Sequence, residues 1–555
     1  MPQFPKNELA QIVIASCIAN GVAHVVISPG SRNAPLTIGF TNSSEIKTYS
    51  IVDERCAAFF ALGIAQQLQK PVAVVCTSGS ALLNYYPAIA EAFYSNIQLL
   101  VISADRPKHL VDVGDGQTIR QENVFQNHIL RTVNLIENYS SQESVIQVID
   151  DAIETLKNEN GPVHINVPFD EPLYETTEEI LSLDNKFEDV VEEFIEESLL
   201  ENYAKIWNSS SKKMILVGEN FPNDSLQKQL EYYSNDPSVL ILIENTANVS
   251  HPKFINSIDK LIFPLEEDEL AQFQPDILLS LGGLIVSKKI KQHLRKFQPK
   301  HHWHIDAKRA FDTFHCLNHH FKVSPFYFFS QFSLKVETVE TNYQEIWLTK
   351  KACRLVKHNH FIENCKFSDL KVFDILLKSI PNNSQLQLGN SSIIRYSQLF
   401  DINNSLRVFC NRGTSGIDGS MSTAIGAATV TNDNTVFITG DISFFYDSNA
   451  LWNNYIPANF RIILVNNGGG GIFRFIPGPQ KSNALNYFET PHNLTAEHLC
   501  KMYDLEYISV TNEVGLQEQL LNFYNETKSP RVIEIFTPRE ENDKILKKYF
   551  NNLKE

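Results

Sequence analysis

The sequence predicts an α/β protein built from three doubly wound, parallel-sheet domains. Short β-rich runs alternate with helical stretches along most of the chain, which is typical of βα units and a mostly parallel sheet. The predicted strands end in small, polar or proline residues. The length, 555 residues, suits three or four domains of ordinary size. We expect domains at residues 1–180, 181–345 and 346–555.

The first domain begins with an apolar N-terminal segment, MPQFPKNELAQIVIASCIANG. It lacks a basic region followed by a sustained apolar core, so it predicts an amphipathic helix rather than a signal peptide. The runs HVVISPGS, VAVVCTSGS, QLLVISADRP and PVHINVP predict strands. Between them, DERCAAFFALGIAQQL and LLNYYPAIAEAFYS predict helices.

The second and third domains repeat this alternation. An acidic stretch around residues 175–200 predicts a solvated connector. After it, KKMILVGEN, VLILIEN, ILLSLGG and HHWHIDA predict strands of the second domain. The third domain follows with SQLQLGNSS, LRVFCNRGTSG, TVFITGD, RIILVNNGG and PRVIEIF.

Charge and cysteine usage exclude some classes of function. The chain has 48 basic and 64 acidic residues and a net charge of −16, which disfavours nucleic acid and anionic membrane surfaces as partners. No stretch offers 18 uncharged apolar residues, so we expect no membrane span. The eight cysteines are scattered without a CxxC pair, which indicates reduced thiols and a cytoplasmic protein.

Two predicted strands in the third domain end in oxygen-bearing residues. TVFI leads into Gly440-Asp441, and RIILV ends at Asn466-Asn467. If a crossover helix joins these strands, their carboxyl ends share one sheet edge, where open α/β sheets bind ligands. A carboxylate, an amide oxygen and a carbonyl of the following glycine run would suit Mg²⁺ beside a substrate phosphate. The alternative is that Asp441 caps a helix and Asn-Asn-Gly forms a turn.

Four loops combine small residues with an arginine: SPGSR at 28–32, SADRP at 103–107, GNSSIIR at 389–395 and NRGTSG at 411–416. Small residues let backbone N–H groups approach an anion, and arginine adds bidentate recognition of carboxylate or phosphate. Any one of them alone is explained as a surface arginine. Their recurrence at predicted strand ends indicates a site for an anionic substrate and a phosphorylated cofactor.

Glu54 opens a predicted, unusually apolar helix. A carboxylate there complements the helix dipole, but an apolar helix also predicts an interface. Burial at an interface would raise the pKa of Glu54 and suit it to proton transfer.

Two other patterns are weak evidence for a functional site. The histidines of HHWH at 301–304 and HCLNHH at 315–320 fit no familiar four-ligand zinc spacing. The GGL at 282–284 is not a dinucleotide fingerprint.

Together, these motifs resemble those of the thiamine diphosphate enzymes. A Gly-Asp followed some 25 residues later by Asn-Asn, with a glutamate in a separate N-terminal α/β domain, is their shared pattern. The resemblance implies a pyrimidine-binding domain at 1–180, a central domain at 181–345 and a diphosphate-binding domain at 346–555. Within this group, SPGSRNAPL, DERCAAFFALG, TSGSALLNYYPA, SADRP, GPVHINVPFDEPLY, NRGTSGIDG and GDISFFYDSNAL resemble the MenD family over nearly the whole chain.

The resemblance implies a transferase reaction of menaquinone biosynthesis in which 2-oxoglutarate loses CO₂ and is joined to isochorismate. Thiamine diphosphate with Mg²⁺, or alternatively Mn²⁺, would be the cofactor, and thiamine would serve as the electron sink. A homodimer or homotetramer is implied, because these sites form between domains of different subunits. Two alternatives remain: another thiamine diphosphate carboligase, such as an acetolactate synthase, and a catalytically silent binding protein.

The resemblance also implies roles for individual residues. Glu54 would bond the aminopyrimidine and help form the cofactor ylide, and Ile417 would enforce the bent shape of the cofactor. The remaining set comprises the metal ligands Asp441, Asn467 and Gly469; the further cofactor contacts Ile442 and Ser443; the apolar wall Ile472 and Phe473; and the substrate-facing residues Ser31, Arg32, Arg106, Gln117, Lys288, Ser391, Arg395 and Arg412. This chain has Gly116 and Gly468 where the family often has asparagine.

Overall fold

The computed structural model describes residues 3–186, 192–476 and 478–554. Part of the predicted acidic connector, residues 187–191, lies outside the described residues. The strands are β1 Phe4–Pro5, β2 His24–Ile27, β3 Lys47–Ser50, β4 Val72–Cys76, β5 Leu99–Asp105, β6 Arg131–Asn134, β7 Val163–Pro168, β8 Thr176–Thr177, β9 Lys213–Val217, β10 Val239–Ile243, β11 Ile277–Leu281, β12 His301–Ile305, β13 His319–Phe321, β14 Gln385–Leu388, β15 Arg407–Cys410, β16 Thr435–Gly440, β17 Phe460–Asn466, β18 Glu506–Val510 and β19 Arg531–Phe536.

Helices connect most of these strands. They are α1 Glu8–Ala19, α2 Ala34–Asn42, α3 Glu54–Leu68, α4 Ser80–Asn84, α5 Tyr86–Ser95, α6 Gln142–Glu159, α7 Glu197–Ser209, α8 Asp224–Tyr233, α9 Ile258–Ile262, α10 Glu267–Phe273, α11 Lys288–Lys296, α12 Pro325–Phe332, α13 Tyr343–Asn364, α14 Asp369–Ser379, α15 Ser392–Ser397, α16 Ser420–Ala428, α17 Asp441–Tyr446, α18 Ile472–Phe475, α19 Ala484–Glu489, α20 Glu497–Met502, α21 Glu513–Phe523 and α22 Asn542–Lys554.

Three parallel sheets confirm the predicted fold class. The first has the strand order β3-β2-β4-β5-β7-β6, the second β10-β9-β11-β12-β13, and the third β15-β14-β16-β17-β19-β18. Counted along the chain, the first and third sheets have the same order, 2-1-3-4-6-5. A short antiparallel pair, β1 with β8, stands apart from them.

The first and third sheets are joined through one close helix pair. Helix α3 packs on one face of the first sheet and also against α16 of the third domain. Two glycines permit this approach: a Cβ at Gly63 would lie 2.0 Å from the Thr423 carbonyl oxygen, and one at Gly426 would lie 2.0 Å from that of Phe60. The apolar character of α3, which predicted an interface, is explained by this contact.

Several elements differ from expectation. The sequence did not predict β3, β6, β13 and β18, which are sheet-edge strands, three of them only three or four residues long. Helix α1 forms as predicted but is not amphipathic: most of its residues, including Ile12, Val13 and Ile14, are buried. Helices α2 and α6 pack against it, so an apolar surface is needed on more than one side.

The expected domain boundaries stay a prediction. Helix α13 runs continuously through the 345/346 position. Within the described ranges, we find no helix that is both long and apolar enough to cross a membrane.

Candidate active site

The two polar strand ends lie side by side. Strands β16 and β17 pair in parallel, with Gly440 opposite Val465, so Asp441 and Asn467 follow at the same sheet edge as predicted. The Asp441 carboxylate accepts a hydrogen bond from the Gly469 backbone N–H, with an N···Oδ2 distance of 2.9 Å. Gly440, not Asp441, occupies the N-cap position of α17, so the capping interpretation of Asp441 is wrong.

Asn467 holds an oxygen without a partner. Its Nδ2 donates to Asp369 Oδ2 at 2.9 Å, which turns Oδ1 the other way. That Oδ1 is buried and has no hydrogen-bond partner in the described structure. A buried, unpaired amide oxygen beside the buried Asp441 carboxylate is a donor set suited to a hard divalent cation. The Gly469 carbonyl accepts from Gly471 N at 2.9 Å and keeps a second lone pair.

The glycine run after β17 is held by the backbone of Glu489, because the Gly470 N–H donates to the Glu489 carbonyl oxygen at 2.6 Å. A Cβ at Gly469, where φ is +147°, would lie 2.6 Å from the Glu489 carbonyl oxygen. The Glu489 side chain is buried and pairs with both Arg474 and Arg539. Burial raises the pKa of Glu489, but the hydrogen bonds from Arg539 and Arg474 outweigh it and hold that pKa below its usual value. The Glu489 carboxylate therefore fixes its own segment to Arg474 and Arg539, and the Glu489 backbone carbonyl holds the glycine run.

The remaining predicted cofactor contacts lie next to this edge. Ser443 Oγ donates to the Ile417 carbonyl oxygen at 3.0 Å, which ties the start of α17 to the NRGTSG loop. The Ile442 N–H donates to Asp441 Oδ1 at 2.7 Å. Phe473 packs against Phe488, with ring centroids 5.3 Å apart.

Two arginines of the third domain, the buried Arg412 and the partly buried Arg395, lie near the same edge. Arg395 donates to the Ser391 carbonyl oxygen at 2.6 Å, and Arg412 donates to Asn390 Oδ1 at 2.7 Å. Burial, followed by the charge of Arg412, lowers the pKa of Arg395. A cavity of about 80 Å³ is lined by Arg395, Asn467 and Ile472 together. The cavity is thus lined by a predicted metal ligand, by an arginine predicted to bind substrate and by a residue of the predicted apolar wall.

The central domain adds Lys288, the first and exposed residue of α11. The loop before it is held by the buried carboxylate of Glu244, which accepts from Val286 N and Ser287 N, each at 2.7 Å. Burial raises the pKa of Glu244 to about 7, opposed by these hydrogen bonds and by the charge of Arg412. The central domain therefore presents its lysine on a fixed turn near the third-domain cations.

The first domain contributes a second pair of arginines. Arg32 is buried and donates to the Phe169 carbonyl oxygen at 2.9 Å. Arg106 pairs with Asp115, with an N–O distance of 3.2 Å. Burial, then the nearby charge of Arg106, lowers the pKa of Arg32, so these two cations lie near each other. Both Nε atoms are buried and lack a partner in the described structure.

The other first-domain candidates flank this pair along the chain. Ser31 is exposed, and the backbone of Gln117, with φ of +56°, approaches Gly79. Glu54 is half-buried at the start of α3, where burial raises the pKa of its carboxyl group. No described side chain donates a hydrogen bond to that carboxylate.

The candidate residues thus form two groups. Among the described residues, no hydrogen bond or salt bridge joins a first-domain candidate to a candidate of the central or third domain. Glu54 and Asp441 are thus not joined by any described hydrogen bond or salt bridge.

Sequence reasoning missed the residues that hold these groups in place, namely Glu91, Glu244, Asp369, Glu489 and His492. His492 Nε2 lies 3.3 Å from Asp441 Oδ2. Asp369 follows a helix-capping Ser368, so local sequence alone indicates a helix start and nothing more.

The histidine-rich segments have a structural explanation. His302 and His304 on β12 both contact Ser280 Oγ, at 2.8 and 2.9 Å. Burial lowers the pKa of each to about 4. All eight cysteines are free.

Comparison with known proteins defines the class first. Residues 7–133 match the family model described as "Thiamine pyrophosphate enzyme, N-terminal TPP binding domain", and residues 388–535 match its "C-terminal TPP binding domain". These segments contain the candidate residues of the first and third domains, and Lys288 lies between the two segments. The chain is a thiamine diphosphate-binding enzyme of this class.

Full-length relatives narrow the class to one family. Proteins from Flavobacterium johnsoniae and Flavobacterium psychrophilum are each 55% identical, over 99% of this chain and all of the relative. One from Desulfotalea psychrophila is 38% identical over 95% of this chain and 98% of its own length. All three are named 2-succinyl-5-enolpyruvyl-6-hydroxy-3-cyclohexene-1-carboxylate synthase. The chain belongs to this synthase family.

Proposed function

We propose that this enzyme decarboxylates 2-oxoglutarate and transfers the remaining four-carbon unit to isochorismate, in menaquinone biosynthesis. The C1–C2 bond of 2-oxoglutarate breaks, CO₂ leaves, and the electron pair left on C2 forms a new carbon–carbon bond to the isochorismate ring. Thiamine diphosphate, when bound, supplies the electron sink for this chemistry. The observation that carries the proposal is the cavity where Arg395, Asn467 and Ile472 meet, in a chain of this synthase family.

The divalent metal and diphosphate belong at the third-domain sheet edge. Asp441 and Asn467 would supply side-chain oxygens and Gly469 its carbonyl to Mg²⁺, or to Mn²⁺. The unpaired Asn467 Oδ1 supports this assignment, because a buried amide oxygen without a donor is costly unless a ligand satisfies it. Ile417, Ile442 and Ser443 lie on the backbone segments next to Asp441 and would contact the cofactor. Gly468 has no side chain to make the contact that asparagine often makes in the family.

The arginines would bind the carboxylates of the two substrates. Both substrates are dicarboxylates, and Arg32, Arg106 and Arg412 each hold a buried Nε–H without a partner, although the protein as a whole is acidic. We assign Arg395, with Ser391, to 2-oxoglutarate, and Arg32 with Arg106 to isochorismate. Ser31, Gln117, Lys288 and Arg412 complete the polar lining, and Ile472 with Phe473 forms the apolar wall.

Glu54 would exchange a proton with the aminopyrimidine ring of the cofactor. Its raised pKa supports this role, since a carboxyl group that titrates closer to neutrality is a better proton donor and acceptor. No described hydrogen bond or salt bridge joins Glu54 to Asp441, and the family builds its sites between domains of different subunits, so we propose that two subunits pair to complete each site, as a homodimer or homotetramer. We place the enzyme in the cytoplasm, in keeping with its free cysteines.

Product analysis tests this function. Purified protein with thiamine diphosphate, Mg²⁺, 2-oxoglutarate and isochorismate should release CO₂. It should also form 2-succinyl-5-enolpyruvyl-6-hydroxy-3-cyclohexene-1-carboxylate, detected by mass spectrometry. With isochorismate omitted, the adduct should vanish. Replacing 2-oxoglutarate by pyruvate separates the acetolactate-synthase-like alternative, because equal turnover of pyruvate would contradict the proposal. Absence of CO₂ release with every 2-oxo acid would identify a silent binding protein.

A further inference from the structure

Asp369 is a buried carboxylate next to a predicted metal ligand. It is the first residue of α14, and only 3% of it is exposed. Its hydrogen-bond donors are neutral: Asn467 Nδ2 at 2.9 Å and Thr537 Oγ1 at 2.5 Å. Across the described residues, no basic side chain forms a salt bridge with it. A buried anion without a cationic partner is costly, and here it lies close to a second buried carboxylate, Asp441.

The sheet register brings Asp369 and Asn467 together. Strands β17 and β19 pair in parallel with Asn466 opposite Phe536, so the following residues, Asn467 and Thr537, are also neighbours. Thr537 N donates to the Asn466 carbonyl oxygen at 3.0 Å and continues this pairing. Helix α14 then enters from 98 residues earlier in the chain and places Asp369 between the two side chains.

A second asparagine fixes the backbone of Asp369. The Asp369 N–H donates to Asn542 Oδ1 at 2.9 Å, and Asn542 Nδ2 donates to Thr537 Oγ1 at 3.2 Å. The carboxylate therefore has one position, with one oxygen for Thr537 and the other for Asn467.

An ionised carboxylate can only accept hydrogen bonds. The atom of the Asn467 amide that faces Asp369 must therefore be the nitrogen, and the oxygen must face the opposite direction. That direction is where Oδ1 is buried without a partner. Asp369 thus decides which end of the Asn467 amide is presented at the sheet edge.

From this geometry we propose that Asp369 is a positioning residue of the metal site, which orients Asn467 so that its oxygen points to the divalent cation. Its negative charge also offsets the charge of the cation across the Asn467 side chain. This inference rests on the proposed role of Asn467. Partners of metal ligands that act in this way typically alter metal affinity by about 10- to 100-fold when replaced.

The test measures binding of Mn²⁺, used as the probe ion, by electron paramagnetic resonance in the presence of thiamine diphosphate. In Asp369→Asn, an amide nitrogen can face Asn467 and rotate its amide, turning Nδ2 toward the metal. We expect Mn²⁺ affinity to fall about 10- to 100-fold. Asp374→Asn is the matched control, because it makes the same chemical change on the same helix at a residue paired with Lys378. Its Mn²⁺ affinity should stay within about threefold of the wild type.

A double exchange separates orientation from general damage. In Asp369→Asn/Asn467→Asp, the amide and the carboxylate trade places and the charge is unchanged. One oxygen at position 467 then accepts from the amide at position 369, and the other can face the cation. Mn²⁺ affinity should recover to near the wild-type value. A purely structural role for Asp369 does not give this rescue.

The outcomes distinguish the metal site from the role of Asp369 in it. Wild-type protein that fails to bind Mn²⁺ would overturn the proposed metal site itself. Wild-type binding together with unchanged affinity in Asp369→Asn would overturn only the role of Asp369. If Asp369→Asn does not fold, the folded double variant decides: binding near the wild-type level supports the proposal, and failure to bind overturns it.

Discussion

The Glu91 carboxylate of the first domain accepts a hydrogen bond from the Gly413 backbone N–H of the third, at 2.7 Å and across 322 positions of sequence. It also accepts from Thr414 N and Thr414 Oγ1, each at 2.7 Å. Glu91 is buried, and the loop that it holds carries Arg412 and Ile417. A single first-domain side chain thus fixes the third-domain loop that bears two candidate site residues.

Replacing Glu91 by alanine should loosen that loop. Three donors lose a charged acceptor, and hydrogen bonds to charged groups contribute about 1.5–3 kcal/mol each. We expect a destabilisation of at least about 3 kcal/mol and weaker cofactor binding. Urea unfolding followed by circular dichroism, with calorimetry for thiamine diphosphate, measures both. Ser95→Ala removes one neutral donor from the same carboxylate, and should cost clearly less; equal losses would argue against the loop as the cause.

Asp441→Ala should weaken binding of the metal and the cofactor together. The substitution removes a buried carboxylate that receives the Gly469 N–H and faces the predicted metal position. A single charged contact is worth about 10- to 150-fold in affinity, so a loss of this size or more is expected. Calorimetric titration with thiamine diphosphate at fixed Mg²⁺ reports it. Unchanged cofactor affinity would remove Asp441 from the metal site.

Glu54→Gln should lower turnover by about 10²- to 10⁴-fold, the usual contribution of general acid–base catalysis. The amide keeps the shape of the side chain but cannot exchange the proton. Steady-state kinetics at saturating cofactor gives the ratio, and Glu45→Gln, an exposed site in the same domain, serves as the control. A loss below about threefold would favour a helix-dipole role instead.

The two arginine pairs should divide between the substrates. Arg395→Ala should raise KM mainly for 2-oxoglutarate, while Arg32→Ala and Arg106→Ala should raise KM mainly for isochorismate. Loss of one charged hydrogen bond corresponds to a rise in KM of about 10- to 150-fold. Kinetics with each substrate varied in turn would check this, with Arg407→Ala, a surface residue paired with Asp433, as the control. Equal effects of Arg395→Ala on both substrates would refute the division.

His164 should make the protein acid-sensitive. Burial lowers its pKa from 6.5 to about 3, so below pH 6.5 the unfolded chain binds a proton that the folded chain excludes. The stability that His164 contributes is complete above pH 6.5 and falls as the pH drops toward 3. Between pH 7.5 and 5.5 this histidine should account for about 1.4 kcal/mol of lost stability. His164→Gln should lose correspondingly less in urea titrations at the two pH values, whereas the exposed His109→Gln should behave like the wild type.

Local sequence patterns were sufficient to predict the buried strands of the sheets. Continuous apolar runs such as those of β4 and β17 need burial on both faces, which parallel sheets with helices on each side provide. The edge strands β3 and β13 were not predicted, because strands of three or four residues with polar side chains show no clear period. The Asp441 and Asn467 positions were predictable for the same local reason: each directly follows a buried strand.

By itself, the sequence determined the α/β class, the polar strand ends and, through its motifs, the candidate site residues. The tertiary structure alone decided how those residues are held: Glu91 against Gly413, Glu489 between two arginines, and Asp369 beside Asn467. These partners lie far apart in the chain, and their contacts depend on strand register and on the packing of α3 against α16. A hydrogen bond between residues hundreds of positions apart leaves no periodic or local signal, so only the folded chain reveals it.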